Sequence, residues 1–242
     1  MNPFSRFFLG FLSFFDGFKM LAKDKSLKKL AAIPILIDVL IFVGIAYTFF
    51  VFVMPHFLET ILSPASGFWG KIARIGGYGF ASVISLLLSG VLTFLLAQIV
   101  ASPFNTLLAE KTLKSQGLLK GQPDKSWLKG SLKMLFSGLI RGAILLLLGV
   151  LIFVLGFIPL LNVLALFMGL FLMATDCADY SHELLHMEFR KRAQFYVKFW
   201  LEFLGFGCAM GLTFMVPGLN LVMIPALSIS GALLVSRLRT AQ

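Results

Sequence analysis

Charged residues are scarce in this chain of 242 residues: Asp, Glu, Lys and Arg make up 13% of it, whereas 59% is hydrophobic. So few charges do not cover the surface of a soluble globule of this size, which excludes a water-soluble domain. Acidic residues are the scarcer sign, with 11 against 21 basic ones, and the net charge is +10. The composition therefore predicts an integral membrane protein.

Features of several enzyme and pump classes are missing as well. The two cysteines, Cys177 and Cys208, lie in different segments, so no disulfide framework is indicated. No GxxxxGK[ST] loop is present, which argues against ATP-driven pumping by this chain alone. The longest polar region, Glu110–Lys133, is too short to fold into a catalytic domain. We therefore predict a protein that is not an enzyme, with no cofactor and no metal site.

Four hydrophobic regions organise the chain as a single membrane domain over residues 1–242. Two of them, 30–58 and 75–109, are long enough to span a bilayer, which needs about 20 apolar residues per helical crossing. The other two contain uncharged stretches of 34 residues each, Gly142–Thr175 and Phe203–Ser236. Each stretch is too long for one crossing and too short for two crossings and a turn. Both predict a helical hairpin that turns back inside the membrane.

A shared Pro-x-Leu-Asn pattern interrupts the two uncharged stretches near their middle, as Pro159–Asn162 and Pro217–Asn220. At ~1.5 Å per residue, arms of about 13 to 18 residues reach only ~20–27 Å. With their bases, the predicted hairpins occupy 134–175 and 195–236. The predicted fold class is an all-α integral membrane protein with two long transmembrane helices and two partly inserted hairpins.

The amino-terminal segment 1–22 predicts an amphipathic helix at the membrane interface. Its polar residues include Arg6, Ser13 and Asp16, and its phenylalanines recur at helical spacing: Phe4, Phe7, Phe8, Phe11, Phe15 and Phe18. A signal peptide is the less favoured interpretation, because the apolar core is short and ends at Asp16 without a small-residue cleavage site.

The basic residues predict the orientation, since Lys and Arg near membrane segments are retained on the cytoplasmic side. With the amino terminus inside, 19 of the 21 basic residues lie on that side. Both termini are then cytoplasmic, and the uncharged hairpin tips point outward. Anionic lipid headgroups account for the basic excess, so membrane lipids are expected partners and nucleic acid is not.

The start of the first span is the best candidate for a binding site. Ser26 is placed to cap the helix there, which leaves backbone amides at the positive helix end available to an anion. Lys28 and Lys29 would converge on the same dianion. Contact with lipid headgroups is the alternative role for these residues.

Small and hydroxylated residues form one face of the second span, at Ser82, Ser85, Ser89, Thr93, Ala97 and Ala101. Close helix packing is the favoured interpretation, because small residues let helices approach. In the alternative, Ser85, Ser89 and Thr93 line a pore together with Asn162 and Asn220 at the hairpin tips. Otherwise these asparagines satisfy backbone groups within the membrane.

The run His182-Glu183-Leu184-Leu185-His186 matches the H-E-x-x-H signature of zinc proteases. On a helix this spacing places both imidazoles on one face. A third ligand is not obvious, so we favour a polar cytoplasmic helix whose His182, Glu183, His186 and Arg190 face water. Two acidic residues just before the run, Asp176 and Asp179, are predicted to pair with Arg190, Lys191 or Arg192.

Several motifs in order give the chain a resemblance to the CysZ-type sulfate transporters, within the group that includes the eukaryotic etoposide-induced membrane protein. The motifs are Gly17–Leu21, Ser26–Leu30, Ile33–Asp38, Ala101–Glu110, Ile158–Asn162, Val216–Asn220 and Ile224–Ala226. The resemblance implies a multi-pass protein of the bacterial inner membrane that passes sulfate or a related oxyanion inward for cysteine synthesis. It also implies a homo-oligomer.

In that family a glycine-leucine-arginine motif, followed by a second arginine, binds sulfate at the start of the first span. The matching positions here are Ser26, Leu27, Lys28 and Lys29. Lysine keeps the charge but lacks the bidentate fork of arginine. Asp38 stands where many relatives carry asparagine, and an ionised carboxylate there would oppose an anion unless it is protonated or paired. A membrane-remodelling or scaffold protein that uses its hairpins as wedges is the third possible class.

Overall fold

Every regular element in the described part of the chain is a helix. The computed structural model of the protein describes residues 2–56, 67–119, 127–214 and 219–240. Its helices are α1 (Pro3–Lys23), α2 (Lys25–Thr48), α3 (Gly67–Ser115), α4 (Trp127–Gly156), α5 (Leu161–Leu184), α6 (Phe189–Lys198), α7 (Trp200–Phe214) and α8 (Leu219–Thr240). A π-helical segment, Phe49–Val53, continues α2. The all-α prediction is confirmed for these ranges.

Three helical segments are long and apolar enough to cross a membrane, judged by length and composition: Lys25–His56, Ile75–Thr93 and Leu161–Leu184. A fourth crossing results if α6 and α7, which meet at an angle of 82°, count as one bent span. The first segment overlaps the predicted span 30–58, of which residues 57 and 58 lie outside the described ranges. The second segment lies within the predicted span 75–109. The prediction of a membrane protein is therefore confirmed.

The 49 residues of α3 form one helix without a break. At 1.5 Å per residue it is ~74 Å long, more than twice the ~30 Å of a bilayer core. Part of α3 must therefore extend beyond the apolar layer. Its carboxyl-terminal part packs against α5 and α8, where Ala109 and Leu113 are buried with Tyr180 and Ala232.

The first hairpin turns at the predicted Pro159. The Phe157 amide donates to the Val154 carbonyl and the Leu161 amide to the Ile158 carbonyl, at 3.2 and 3.0 Å. The turn closes at Leu160, whose φ of 73° is unusual for a residue with a side chain. The arm formed by α5 has 24 residues and a length of ~36 Å, longer than predicted, because the helix continues past the uncharged stretch. This arm is therefore long enough to cross the whole bilayer, not only part of it.

The carboxyl-terminal helix α8 lies at the centre of the bundle. Every residue from Pro225 to Ser236 is buried, and α1, α3 and α5 are its main neighbours. The other arm of the predicted hairpin 195–236, α7, packs chiefly on α1 and α5 and makes little contact with α8. Residues 215–218, which hold part of the predicted tip, lie outside the described ranges. Neighbouring helices rather than mutual packing therefore hold the two arms.

The amino-terminal helix α1 exposes part of its phenylalanine face, as the interfacial prediction requires: Phe4, Phe8 and Phe15 are exposed. It is not, however, a separate element. Its opposite face packs on α7 and α8 through Gly10 and Gly17. Small residues on this face bring the backbones together, so α1 is part of the helical bundle.

Candidate functional site

The start of α2 is capped by Asp24. Its Oδ1 accepts hydrogen bonds from the backbone amides of Ser26 and Leu27, at 2.7 and 3.2 Å. The prediction that Ser26 caps this helix is therefore wrong. Aspartate caps helices at least as well as serine, and Asp24 has the extended backbone that a capping position requires.

Asp24 occupies the amides that we expected an anion to bind. The hydrogen bond from the Ser26 amide, with further contributions from Leu27 and from the nearby charge of Lys111, lowers the pKa of Asp24 despite some desolvation. Lys111 Nζ lies 3.4 Å from Asp24 Oδ2. Two backbone amides and the Lys111 ammonium group thus already contact a carboxylate of the protein itself, that of Asp24.

The four predicted binding residues divide into two kinds. Ser26, Lys28 and Lys29 are exposed. Leu27 is fully buried against Leu108 and other apolar residues of α3 and α8. The two lysines can reach a soluble anion or a lipid headgroup, whereas the Leu27 side chain anchors α2 to the bundle.

Lys111 is the basic residue at this position that the sequence did not reveal. It comes from the last turns of α3, which runs antiparallel to α2 and so brings its end beside the start of α2. No local pattern links two residues so far apart in the chain. The neighbouring Lys114 is engaged by Glu110 at 2.6 Å, whereas Lys111 contacts Asp24.

Three hydroxyl residues of the α3 stripe, Ser85, Ser89 and Thr93, are buried. Ser89 Oγ donates to the Ser85 carbonyl and Thr93 Oγ1 donates to the Ser89 carbonyl, both at 2.7 Å. Ser82 Oγ lies 3.5 Å from the Met54 sulfur, so this face is turned toward the α2 segment. These contacts favour the packing interpretation of the stripe.

The hairpin-tip residue Asn162 is not part of the same site. Asn162 is exposed on the first turn of α5, and the Asn220 side chain lies outside the described part of the structure. Tyr180, which packs beside the end of α3, lies 18 residues or ~27 Å further along α5 than Asn162. Asn162 and the start of α2 are thus at opposite ends of the bundle.

The sequence also gave no role to Asn105, a buried residue of α3. It is 2% exposed, and its side-chain oxygen has no hydrogen-bond partner among the described residues. A buried amide oxygen without a partner is uncommon and marks a polar position inside the bundle.

The H-E-x-x-H run does not have the geometry of a zinc site. The helix α5 ends at Leu184, and His186 follows it in a left-handed conformation with φ of 52°. The two imidazoles therefore do not lie on one helical face, as the zinc signature requires. No group of three or more potential ligands was found in the described part of the chain. The metalloprotease alternative is not supported.

His182 faces the protein interior, so the prediction that it faces water is wrong. It is fully buried, and its ring stacks on Tyr196 with centroids 5.2 Å apart. The predicted ion pair nearby is confirmed: Arg192 donates to both carboxylate oxygens of Asp179 at 3.1 Å. The Tyr196 hydroxyl donates to the same carboxylate. These contacts fasten α6 to the end of α5.

The all-helical fold and its three or four candidate spans define a helical, multi-pass membrane protein, with several lysines where the start of α2 meets the end of α3. Comparison with known families then gives its relationship. The chain belongs to the family described as sulfate transporter CysZ/etoposide-induced protein 2.4, whose sequence model matches residues 13–225. The resemblance seen in the sequence is thereby confirmed. A comparison with curated proteins finds no match.

Proposed function

We propose that this protein moves sulfate or a related oxyanion across the bacterial inner membrane, inward, for assimilation into cysteine. The family match over residues 13–225 carries the proposal, because the family description names a sulfate transporter. The proposed arrangement is a homo-oligomer with both termini in the cytoplasm, as the distribution of basic residues favours. The partly inserted hairpins remain part of this proposal.

The oxyanion first meets the basic residues at the start of α2. Lys28 and Lys29 are exposed there, and Lys111 at the end of α3 contacts Asp24 at the same helix start. A bound oxyanion then competes with the Asp24 carboxylate for the amides of α2. Lysines attract the anion as point charges without fixing its orientation, which favours loose binding over selective binding.

Beyond this entrance we propose a route along α3. The hydroxyls of Ser89 and Thr93 bond to their own helix, and α2 packs on α3, which supports a packed state without an open route. A route past these hydroxyls therefore requires α2 to move relative to α3. Asn162 and Asn220 are proposed to line the far end of the route in the oligomer.

We expect the double substitution Lys28→Ala/Lys29→Ala to reduce sulfate flux at least about tenfold, because two charges near the bound dianion are lost. Radiolabelled sulfate uptake into proteoliposomes measures this. Arg190→Ala/Lys191→Ala is the matched control, since it removes two exposed basic residues from α6 and the same net charge. Wild-type flux equal to that of empty liposomes would refute the transport proposal, and equal loss in both variants would refute the binding site.

Substituting Asp24 with asparagine should strengthen sulfate binding about fivefold. Asparagine still caps a helix, but it removes the negative charge that competes with the oxyanion. Equilibrium binding of labelled sulfate to purified protein gives the affinity, and Glu188→Gln controls for an exposed acidic residue removed away from the start of α2. Weaker binding by the Asp24→Asn protein would show that the carboxylate assists the site instead.

A scaffold without transport is the second candidate, favoured by the exposed phenylalanine face of α1. Aromatic side chains on an amphipathic helix insert at the boundary of headgroups and acyl chains. In that case the protein deforms liposomes and carries no sulfate. Electron microscopy of the same proteoliposomes distinguishes the two functions.

A further inference from the structure

Asp38 lies on the face of α2 that is buried in the bundle. The buried residues of this helix are Leu27, Ala31, Pro34 and Asp38, which recur at each turn and so share one face. Leu27 and Ala31 contact Leu108 of α3 and residues of α8. Asp38 continues this face two turns further into the candidate span and is 0% exposed.

Among the side chains that the structure describes, none brings a cation or a hydrogen-bond donor to this carboxyl group. Neither of its oxygens has a hydrogen-bond partner within the described ranges. The helices that pack on α2 are free of titratable residues over long segments of sequence, from Gly79 to Ala109 in α3 and from Leu219 to Ser236 in α8. The nearest titratable residues on its own helix, Lys29 and Tyr47, are nine positions away, or ~13.5 Å.

The remaining neighbours do not supply a charge either. The helix α1 meets α2 mainly around their junction, where Met20 and Leu21 contact the Leu27 cluster, so its Asp16, Lys19 and Lys23 lie near the start of α2. Asp24 and Lys111 are at the same end. An ionised carboxylate without partners is very unfavourable inside a membrane protein, whereas the protonated acid is neutral.

We propose that Asp38 is a reversible proton-binding site inside the first span, and that loss of its proton makes the protein resist the passage of oxyanions. The acid releases H⁺ to water and leaves a carboxylate, so one negative charge appears in the bundle. That charge repels a dianion on the proposed route along α3. The effect on flux rests on the proposed function, whereas proton binding itself does not.

Pro34 gives water a way to reach the acid. Proline has no amide hydrogen, so the carbonyl four residues earlier, that of Leu30, lacks its helical partner and α2 bends more easily at this point. Asp38 is one turn after Pro34 and on the same face. Bending at Pro34 separates this face from its neighbours and allows the proton to exchange.

Infrared spectroscopy of the full-length protein in phosphatidylethanolamine/phosphatidylglycerol liposomes tests proton binding directly. At about pH 5 the wild type should show the carbonyl band of a protonated carboxyl group, the band should weaken toward about pH 8, and Asp38→Asn should lack it at both pH values. Glu188→Gln, which removes an exposed acid, is the control and should keep the band. Asp38→Glu should shift the band and serves if the asparagine variant does not fold. A band unchanged by either Asp38 substitution overturns the proposal.

Sulfate flux in the same liposomes tests the consequence. Wild-type flux should fall about tenfold between about pH 5 and pH 8, and Asp38→Asn should remove this dependence and keep the high flux. An identical pH dependence in both proteins overturns the regulatory part of the proposal. If the wild type has no flux at any pH, the proposed function fails, and the infrared band alone decides whether Asp38 binds a proton.

Discussion

Arg6→Met is expected to lower the free energy of unfolding by about 3 kcal/mol, because it leaves the Glu202 carboxylate buried without a cation. The Arg6 guanidinium binds both oxygens of Glu202, at 2.7 and 2.9 Å, and donates to the Lys198 carbonyl at 2.8 Å. The Glu202 side chain is only 4% exposed. We use the low end of the range for broken buried ion pairs because 28% of the Arg6 side chain remains exposed.

Denaturant unfolding in detergent micelles measures this loss. Lys23→Ala is the control, since it removes an exposed cation from the same helix and should change stability by less than about 0.5 kcal/mol. The double variant Arg6→Met/Glu202→Met should recover most of the loss, because neither charge is then left buried. If Arg6→Met is as stable as the control, the ion pair does not hold α1 to α7.

The hydrogen bond and charge of Glu202 also raise the pKa of Arg6, against a smaller effect of desolvation. The Arg6 guanidinium therefore stays charged at neutral pH, and α1 remains attached. A second ion pair, Arg237 with Asp16 at 2.8 Å, connects α1 with α8. The amino-terminal helix is thus fastened at both ends of its polar face.

Membrane location, helical class and the Pro159 turn could be predicted because each depends on local composition. Apolar runs must be helical in lipid, since backbone groups find no other partners there. A proline within such a run interrupts the helix wherever neighbours allow it. These rules depend on stretches of about 20 residues, so the features that follow from them can be predicted from one sequence.

The errors concern choices between equivalent residues and contacts between distant segments. Asp24 and Ser26 are both good helix caps, and the chain uses the first. His182 looked like a water-facing residue because its neighbours in sequence are polar, yet Tyr196 and Phe195 of the next helix cover it. The central position of α8 depends on packing with helices from the whole chain, which its own residues do not encode.

The backbones of α5 and α8 lie close together at Gly231, so added side-chain volume there should destabilise the fold. We expect Gly231→Leu to be strongly destabilising. A Cβ atom at Gly231 would lie 2.5 Å from the Cys177 carbonyl oxygen, so α5 and α8 would have to separate along their buried contact. We expect a loss of about 3 kcal/mol or more, because backbone atoms cannot rotate away from the clash.

Gly149→Leu provides the matched control for Gly231→Leu, because nothing lies within 4 Å of a Cβ built at Gly149 in α4. Leucine favours a helix over glycine by up to about 1 kcal/mol, so this variant should unfold at an equal or higher denaturant concentration. Size-exclusion profiles and denaturant midpoints in micelles compare the two proteins. Equal midpoints would mean that α8 can move away from α5 without loss, and that its burial does not organise the bundle.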